Sequence, residues 1–126
     1  MQKIGLIGLA GLVGTLGRYW LSDLVARRYG ETFPVGTLLV NIVGCFLAGL
    51  LFYLLSERFQ TSETLQAIVL VGILGGFTTF SSFGLQTFAL IRHGELSLAA
   101  LYIVASNIGG ILMVWAGYSL AKAFPN

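Results

Sequence analysis

Between Gly75 and Phe83 the chain reads Gly-Gly-Phe-Thr-Thr-Phe-Ser-Ser-Phe. Hydroxyls stand at Thr78, Thr79, Ser81 and Ser82, and phenylalanines at every third position, Phe77, Phe80 and Phe83. The run lies in a stretch that carries no charged residue from Thr64 to Ile91. Its paired glycines each cost about 1 kcal/mol of helix propensity relative to alanine. In hydrocarbon, irregular backbone is tolerated only where protein buries it or where it lines a watery cavity. The run therefore predicts a helix break at bilayer depth, and a permeation or binding site there. Hydroxyls and amide N–H groups are donors, and aromatic ring edges carry the positive end of the ring quadrupole. A lining of that kind suits an anion. A small, strongly hydrated anion needs such a set to replace its lost water.

The elements that must position this run are membrane-spanning helices. Hydrophobic residues make up 56% of the 126 positions and charged residues 10%, with mean hydropathy +0.88; a soluble domain carries about 25% charged residues. No charge occurs between Glu31 and Glu57, between Glu63 and Arg92, or between Glu95 and Lys122. Each gap exceeds the roughly 20 apolar residues that a spanning helix needs. Lys3 followed by the apolar run from Ile4 to Gly17 has the look of a signal peptide. Further spans follow it, however, and no small-x-small site leads into a soluble region, so a first transmembrane helix is the better reading. The expected class is an all-α integral membrane protein, one four-helix transmembrane domain over residues 1–126, with helices at about 4–24, 36–55, 65–90 and 97–121.

In helix 1, Gly5, Gly8, Gly11, Gly14 and Gly17 recur at every third position, a pattern that reads as close helix packing in lipid. Arg18 lies roughly 21 Å along this helix, where a charge costs about 2.5–3.5 kcal/mol on insertion scales. Either it serves a site at depth, or it snorkels to the far interface beside Tyr19 and Trp20. Asp23, further on, is expected at the interface. Pro34 precedes helix 2, as a helix start allows. Thr37 and Asn41 share one face of that helix. Asn41 must find partners, because an unpaired buried amide costs a few kcal/mol. It reads either as an interhelical hydrogen bond or as a donor lining a site. Ser62 and Thr61 offer weak caps for helix 3, whose 26 or so residues would span ~39 Å if continuous. That length leaves room for an unwound turn. His93 beside Gly94 reads as a helix C-terminus, with the imidazole near the negative end of the dipole. On helix 4, Tyr102, Ser106 and Gly109/Gly110 share a face, with Asn107 beside them.

Orientation is not fixed by charge. Lys3, Arg58 and Lys122 fall on one side of four spans, and Arg27, Arg28 and Arg92 on the other. The usual bias of basic residues toward the cytoplasm is absent, so the chain can insert both ways. An antiparallel homodimer would then supply the inverted symmetry that larger transporters build within one chain.

Several chemistries are excluded. The net charge of +2 comes without a basic run, which argues against nucleic acid, and the single Cys45 allows no internal disulfide or thiolate metal cluster. The acids Asp23, Glu31, Glu57, Glu63 and Glu95 all lie at or beyond span ends, and no nucleophile–base set occurs, so an enzyme is not expected. A small dual-topology multidrug exporter would be the alternative transporter, but proton coupling calls for an intramembrane carboxylate, and none is found. A non-transporting assembly subunit would account for the glycines but not for hydroxyls clustered at depth.

The run GGFTTFSSF, with Gly36-Thr37-x-x-Val40-Asn41 upstream and Gly17-Arg18 before that, resembles the Fluc/CrcB family of fluoride channels over essentially the whole chain. The resemblance implies an antiparallel, dual-topology homodimer in the bacterial inner membrane. Its two pores would passively export fluoride and so lower its cytoplasmic concentration. It implies Phe80 and Phe83 as pore phenylalanines whose ring edges meet fluoride, and Asn41 as a pore-lining donor. It implies Ser81 and Ser82 as a hydroxyl track, and Thr37, Tyr102, Ser106 and Arg18 as further polar pore positions. It also implies a structural sodium ion at the dimer centre, held by backbone carbonyls of Gly75 and Thr78; four carbonyls from two crossed breaks suit a hard cation. Gly84 stands where many members carry a further hydroxyl, and Gln86 where many carry Glu. The first thins the polar track, and the second removes a charge.

Overall fold

The computed structural model describes residues 1–30 and 32–124; Glu31, one of the acids expected beyond the span ends, lies outside the described residues. Among the described residues, four helical segments are long and apolar enough to cross a membrane: Gln2–Tyr29, Val35–Arg58, Glu63–Arg92 and Leu96–Ala123. The first is the helix α1, Gln2–Tyr29. The second is α2, Val35–Phe52, drawn out by a π-helical stretch over Tyr53–Arg58. The third comprises α3, Glu63–Gln66, a π-helical stretch over Ala67–Ile73, α4, Leu74–Phe77, and α5, Phe80–Arg92. The fourth is α6, Leu96–Ala123.

Each segment runs beyond its expected end, most of all α1, which continues five residues past Leu24 to Tyr29. Charge marks where a helix leaves hydrocarbon, not where its hydrogen bonding stops. Asp23 accepts from Arg27 Nε at 2.8 Å one turn on, within the helix, and only Gly30, with φ +79°, turns the chain away. Gly94, with φ +78°, does the same after α5, behind a C-cap at His93. Ser62 caps α3 by accepting from Leu65 N–H at 3.3 Å, the weak cap expected there. Below it, Gln66 Nε2 donates to Thr61 O at 3.0 Å and Ser56 Oγ to Gln66 Oε1 at 3.1 Å, tying the second connection together.

Glycine sets how closely the segments approach. A Cβ at Gly117 would collide with the Phe46 carbonyl, and one at Gly49 with the Val114 carbonyl, so α2 and α6 touch backbone to backbone. In α1 the glycines divide. Gly14 lies against the Ile73 carbonyl, and the Gly11 carbonyl stands where a Cβ on Gly76 would be, whereas nothing lies within 4 Å of a Cβ built on Gly5 or Gly8. Val40 and Tyr102 are fully buried. Much of the outer surface is aliphatic or aromatic, including Leu9, Leu12, Ile111 and Trp115, as a surface facing lipid tails requires.

Candidate functional site

The site is built where α4 gives way to α5. Thr78 (φ −84°, ψ 159°) and Thr79 (φ −151°, ψ 115°) are extended, while Phe77 before them and Phe80 after them are helical. An extended pair breaks the i to i−4 pattern, so its polar groups need other partners. The side chain of Asn41, on α2, meets Thr79 with both ends of its amide: Thr79 N–H donates to Oδ1 at 2.8 Å, and Nδ2 donates to the Thr79 carbonyl at 3.1 Å. Thr79 in turn caps α5, its Oγ1 accepting from Ser82 N–H at 3.2 Å. From α1, Arg18 Nε donates to the Gly76 carbonyl at 3.2 Å. Arg18 is half-buried and turned inward onto the Gly76 backbone. Asn41 makes the interhelical hydrogen bond of one reading, and it also lines the cavity of the other.

This arrangement takes the helical donors away from the Gly75 and Thr78 carbonyls. In a continuous helix the Gly75 carbonyl would accept from Thr79 N–H, which goes to Asn41 instead. The Thr78 carbonyl would accept from Ser82 N–H, which goes to Thr79 Oγ1. Gly75 and Thr78, the pair expected to face a sodium ion, thus lose their helical partners. Neutral backbone oxygens freed in this way are the donor type a hard monovalent cation takes, so the residues fit the expected ion.

A cavity of about 730 Å³ opens beside the extended pair. Asn41, Gly75, Thr78, Phe80, Phe83 and Ser106 all line it. The rings of Phe80 and Phe83 lie 5.5 Å apart, tilted by 42°. Ser106 Oγ is buried and has no hydrogen-bond partner among the described residues; such a group costs about 1–3 kcal/mol unless water or a ligand meets it. Gly44 makes room for this assembly, because a Cβ there would strike the Thr78 methyl group. Phe77 packs against Gly17 of α1 and Gly44 of α2, so of the three phenylalanines it is the packing one.

The other expected residues lie around this cavity rather than in it. Phe83 stacks on Tyr102 with centroids 5.2 Å apart, and Tyr102 meets Phe33 edge-on at 5.6 Å. The Tyr102 hydroxyl donates to Gln86 Oε1 at 2.9 Å. Thr37 and Gln86 line a second cavity of about 430 Å³ near the first connection. Ser81 and Ser82 line neither; Thr79 Oγ1 donates to Ser82 Oγ at 3.0 Å and lies 3.3 Å from the exposed Ser81 Oγ. Arg18 reaches only the far side of the extended pair. Sequence reasoning gave Thr79 no role beyond its hydroxyl and found no consequence for Gln86. The first was open to view as a Thr immediately before a helical run. The second rests on a partner sixteen residues away that no local pattern announces.

The comparisons with known proteins agree with one another. Residues 5–118 match the family model described as CrcB-like protein, Camphor Resistance (CrcB). A protein of Methylobacillus flagellatus named fluoride-specific ion channel FluC is 41% identical over 123 residues, 97% of this chain and 96% of its own. Proteins of the same name from Agrobacterium fabrum and Opitutus terrae are 43% and 46% identical, over 97% and 91% of this chain and 98% and 89% of their own. With four segments fit to cross a bilayer, this is a multi-pass membrane protein, and it belongs to the CrcB family.

Proposed function

We propose that the chain is a fluoride-selective channel that lets fluoride leave the cytoplasm passively, assembled as an antiparallel, dual-topology homodimer with two pores in the bacterial inner membrane. One observation carries the reading. Phe80, Phe83, the Asn41 amide and the orphan hydroxyl of Ser106 line one cavity, whose lining among the described residues includes no carboxylate. A proton-coupled exporter needs the acid that this lining lacks. A dehydrated anion needs fixed donors that replace water without holding the ion too tightly, and neutral hydroxyls, amides and ring edges provide them. The name carried by the relatives supports fluoride as the ion. Tyr102, against Phe83, and Thr37 and Gln86 in the second cavity are further polar positions near the pore. Thr79, Ser81 and Ser82 form the hydroxyl track, and Arg18 contributes positive charge from the opposite side.

Phe80 is 81% exposed in a single chain, and the cavity beside it is open on that side. A second copy inserted in the opposite sense would cover it, and the even split of basic residues permits that insertion. The extended pair at Thr78 and Thr79 would then lie at bilayer depth. There the carbonyls of Gly75 and Thr78 from the two copies would hold a sodium ion, which supplies a fixed positive charge between the two backbones. The test is efflux from liposomes holding the purified protein, fluoride against chloride. Fast loss of fluoride with negligible loss of chloride supports the reading, and Phe80→Ile or Phe83→Ile should then cut fluoride flux while the dimer survives. Loss of neither anion from verified dimers refutes it. Unchanged flux in both variants removes the phenylalanines from the pore.

A further inference from the structure

We propose that Asn107 is a further ion-binding residue, whose amide carries fluoride past the two phenylalanines into a groove between α5 and α6; the proposal rests on the channel reading above. That groove is a third cavity, of about 490 Å³, lined by Phe80, Phe83, Gly84, Thr87 and Asn107 among others. Only Phe80, Phe83 and Asn107 line both it and the 730 Å³ cavity. Asn107 therefore stands at the boundary between the two spaces, on the helix facing the phenylalanines.

The hydrogen-bond inventory of the groove singles this residue out. Its lining has two polar side chains, Thr87 and Asn107. Thr87 Oγ1 donates to the Phe83 carbonyl at 2.8 Å, so its proton is committed. Gly84 has no side chain, and nothing lies within 4 Å of where its Cβ would stand. Asn107 Nδ2 donates one N–H to the Ile103 carbonyl at 2.8 Å. Its second N–H has no partner among the described residues, and the side chain is exposed in a single chain. Its neighbours along α6, Ile103, Val104, Ile108 and Ile111, are exposed aliphatic residues, so this N–H is the free polar donor open to an ion entering the groove. The Ile103 bond also fixes the amide in place, so the free N–H is pre-organised rather than rotating. A neutral donor of this kind attracts an anion without trapping it as a cation would.

The test is fluoride efflux from liposomes for the full chain, Asn107→Leu, and Asn107→Leu combined with Gly84→Ser. Asn107→Leu should slow efflux by roughly tenfold or more, the worth of one hydrogen bond to a charged group. Gly84→Ser should recover most of that loss, because its hydroxyl enters the same groove from the other helix at an unobstructed position. A structural role for Asn107 on α6 would not be rescued by a hydroxyl on α5. Undiminished efflux in Asn107→Leu overturns the proposal, as does a loss that Gly84→Ser leaves unrepaired. If the unaltered protein releases no fluoride at all, the channel reading fails instead.

Discussion

Replacing Asn41 by leucine tests whether one side chain holds the extended pair in place. Leucine branches at Cγ as asparagine does and suits a helix, so the substitution removes the amide's hydrogen bonds while keeping the branched shape. Two bonds disappear, from Thr79 N–H at 2.8 Å and to the Thr79 carbonyl at 3.1 Å. Each backbone group left unsatisfied costs about 1–3 kcal/mol. The cost of keeping Thr79 extended therefore rises by about 2–6 kcal/mol. The chain has one cheaper state, in which Thr79 N–H returns to the Gly75 carbonyl and the helix runs on through Phe80. Amide hydrogen exchange separates the possibilities. Thr79 N–H should exchange faster by at least about thirtyfold if it opens to water, the equivalent of roughly 2 kcal/mol. If the helix closes over it, Thr79 gains protection while the purified protein loses the carbonyls that face the proposed ion. Thr79 exchange unchanged within a factor of two, in a folded Asn41→Leu protein, would refute the argument that Asn41 sets this backbone.

Two further expectations follow from packing and from Arg18. Gly117→Ala places a methyl group into the Phe46 carbonyl and should lower stability by about 1–3 kcal/mol, whereas Gly5→Ala, with nothing within 4 Å of the new atom, should be neutral or slightly stabilising; thermal unfolding of the purified protein compares them. Arg18→Leu removes the Nε donor from the Gly76 carbonyl, which frees that oxygen to accept from Phe80 N–H in helical fashion. Phe80 N–H should then exchange more slowly than in the unaltered protein, and faster exchange would show that Arg18 does not compete for that oxygen.

Much of the architecture could be read from charge spacing, because taking a charge into hydrocarbon is costly enough to confine charged residues to the span ends. The helix ends could not be read equally well. Asp23 and Arg27 pair with each other on the helix surface, so the charged cluster extends α1 where it had marked its end. The site divides along the same line. Thr78 and Ser106 were legible as polar residues in apolar spans, and Phe80 and Phe83 were singled out by the family resemblance. The duties of Asn41 and Arg18 were not, since their partners Thr79 and Gly76 lie 38 and 58 positions away. Periodicity placed Thr37 and Asn41 on one face of α2, but it carries no information on which backbone that face meets.

The extended pair is held from three directions, and this bears on how such a site can stay open. Glycine at 75 and 76 weakens the helix by about 2 kcal/mol, which permits an interruption without locating it. Asn41 fixes it at Thr79 by taking both backbone groups of that residue. Thr79 Oγ1 takes Ser82 N–H and so starts α5 at a defined register. Arg18 donates to the Gly76 carbonyl, the acceptor that Phe80 N–H would have in a continuous helix. Asn41 and Thr79 thus take hydrogen bonds that a continuous helix would require, and Arg18 gives the freed Gly76 oxygen a donor. The interruption is thus specified by side chains from two other helices, not a flaw in a helix. It leaves the Gly75 and Thr78 carbonyls without their helical donors and stands beside the unpartnered hydroxyl of Ser106, the groups that the channel proposal assigns to ions.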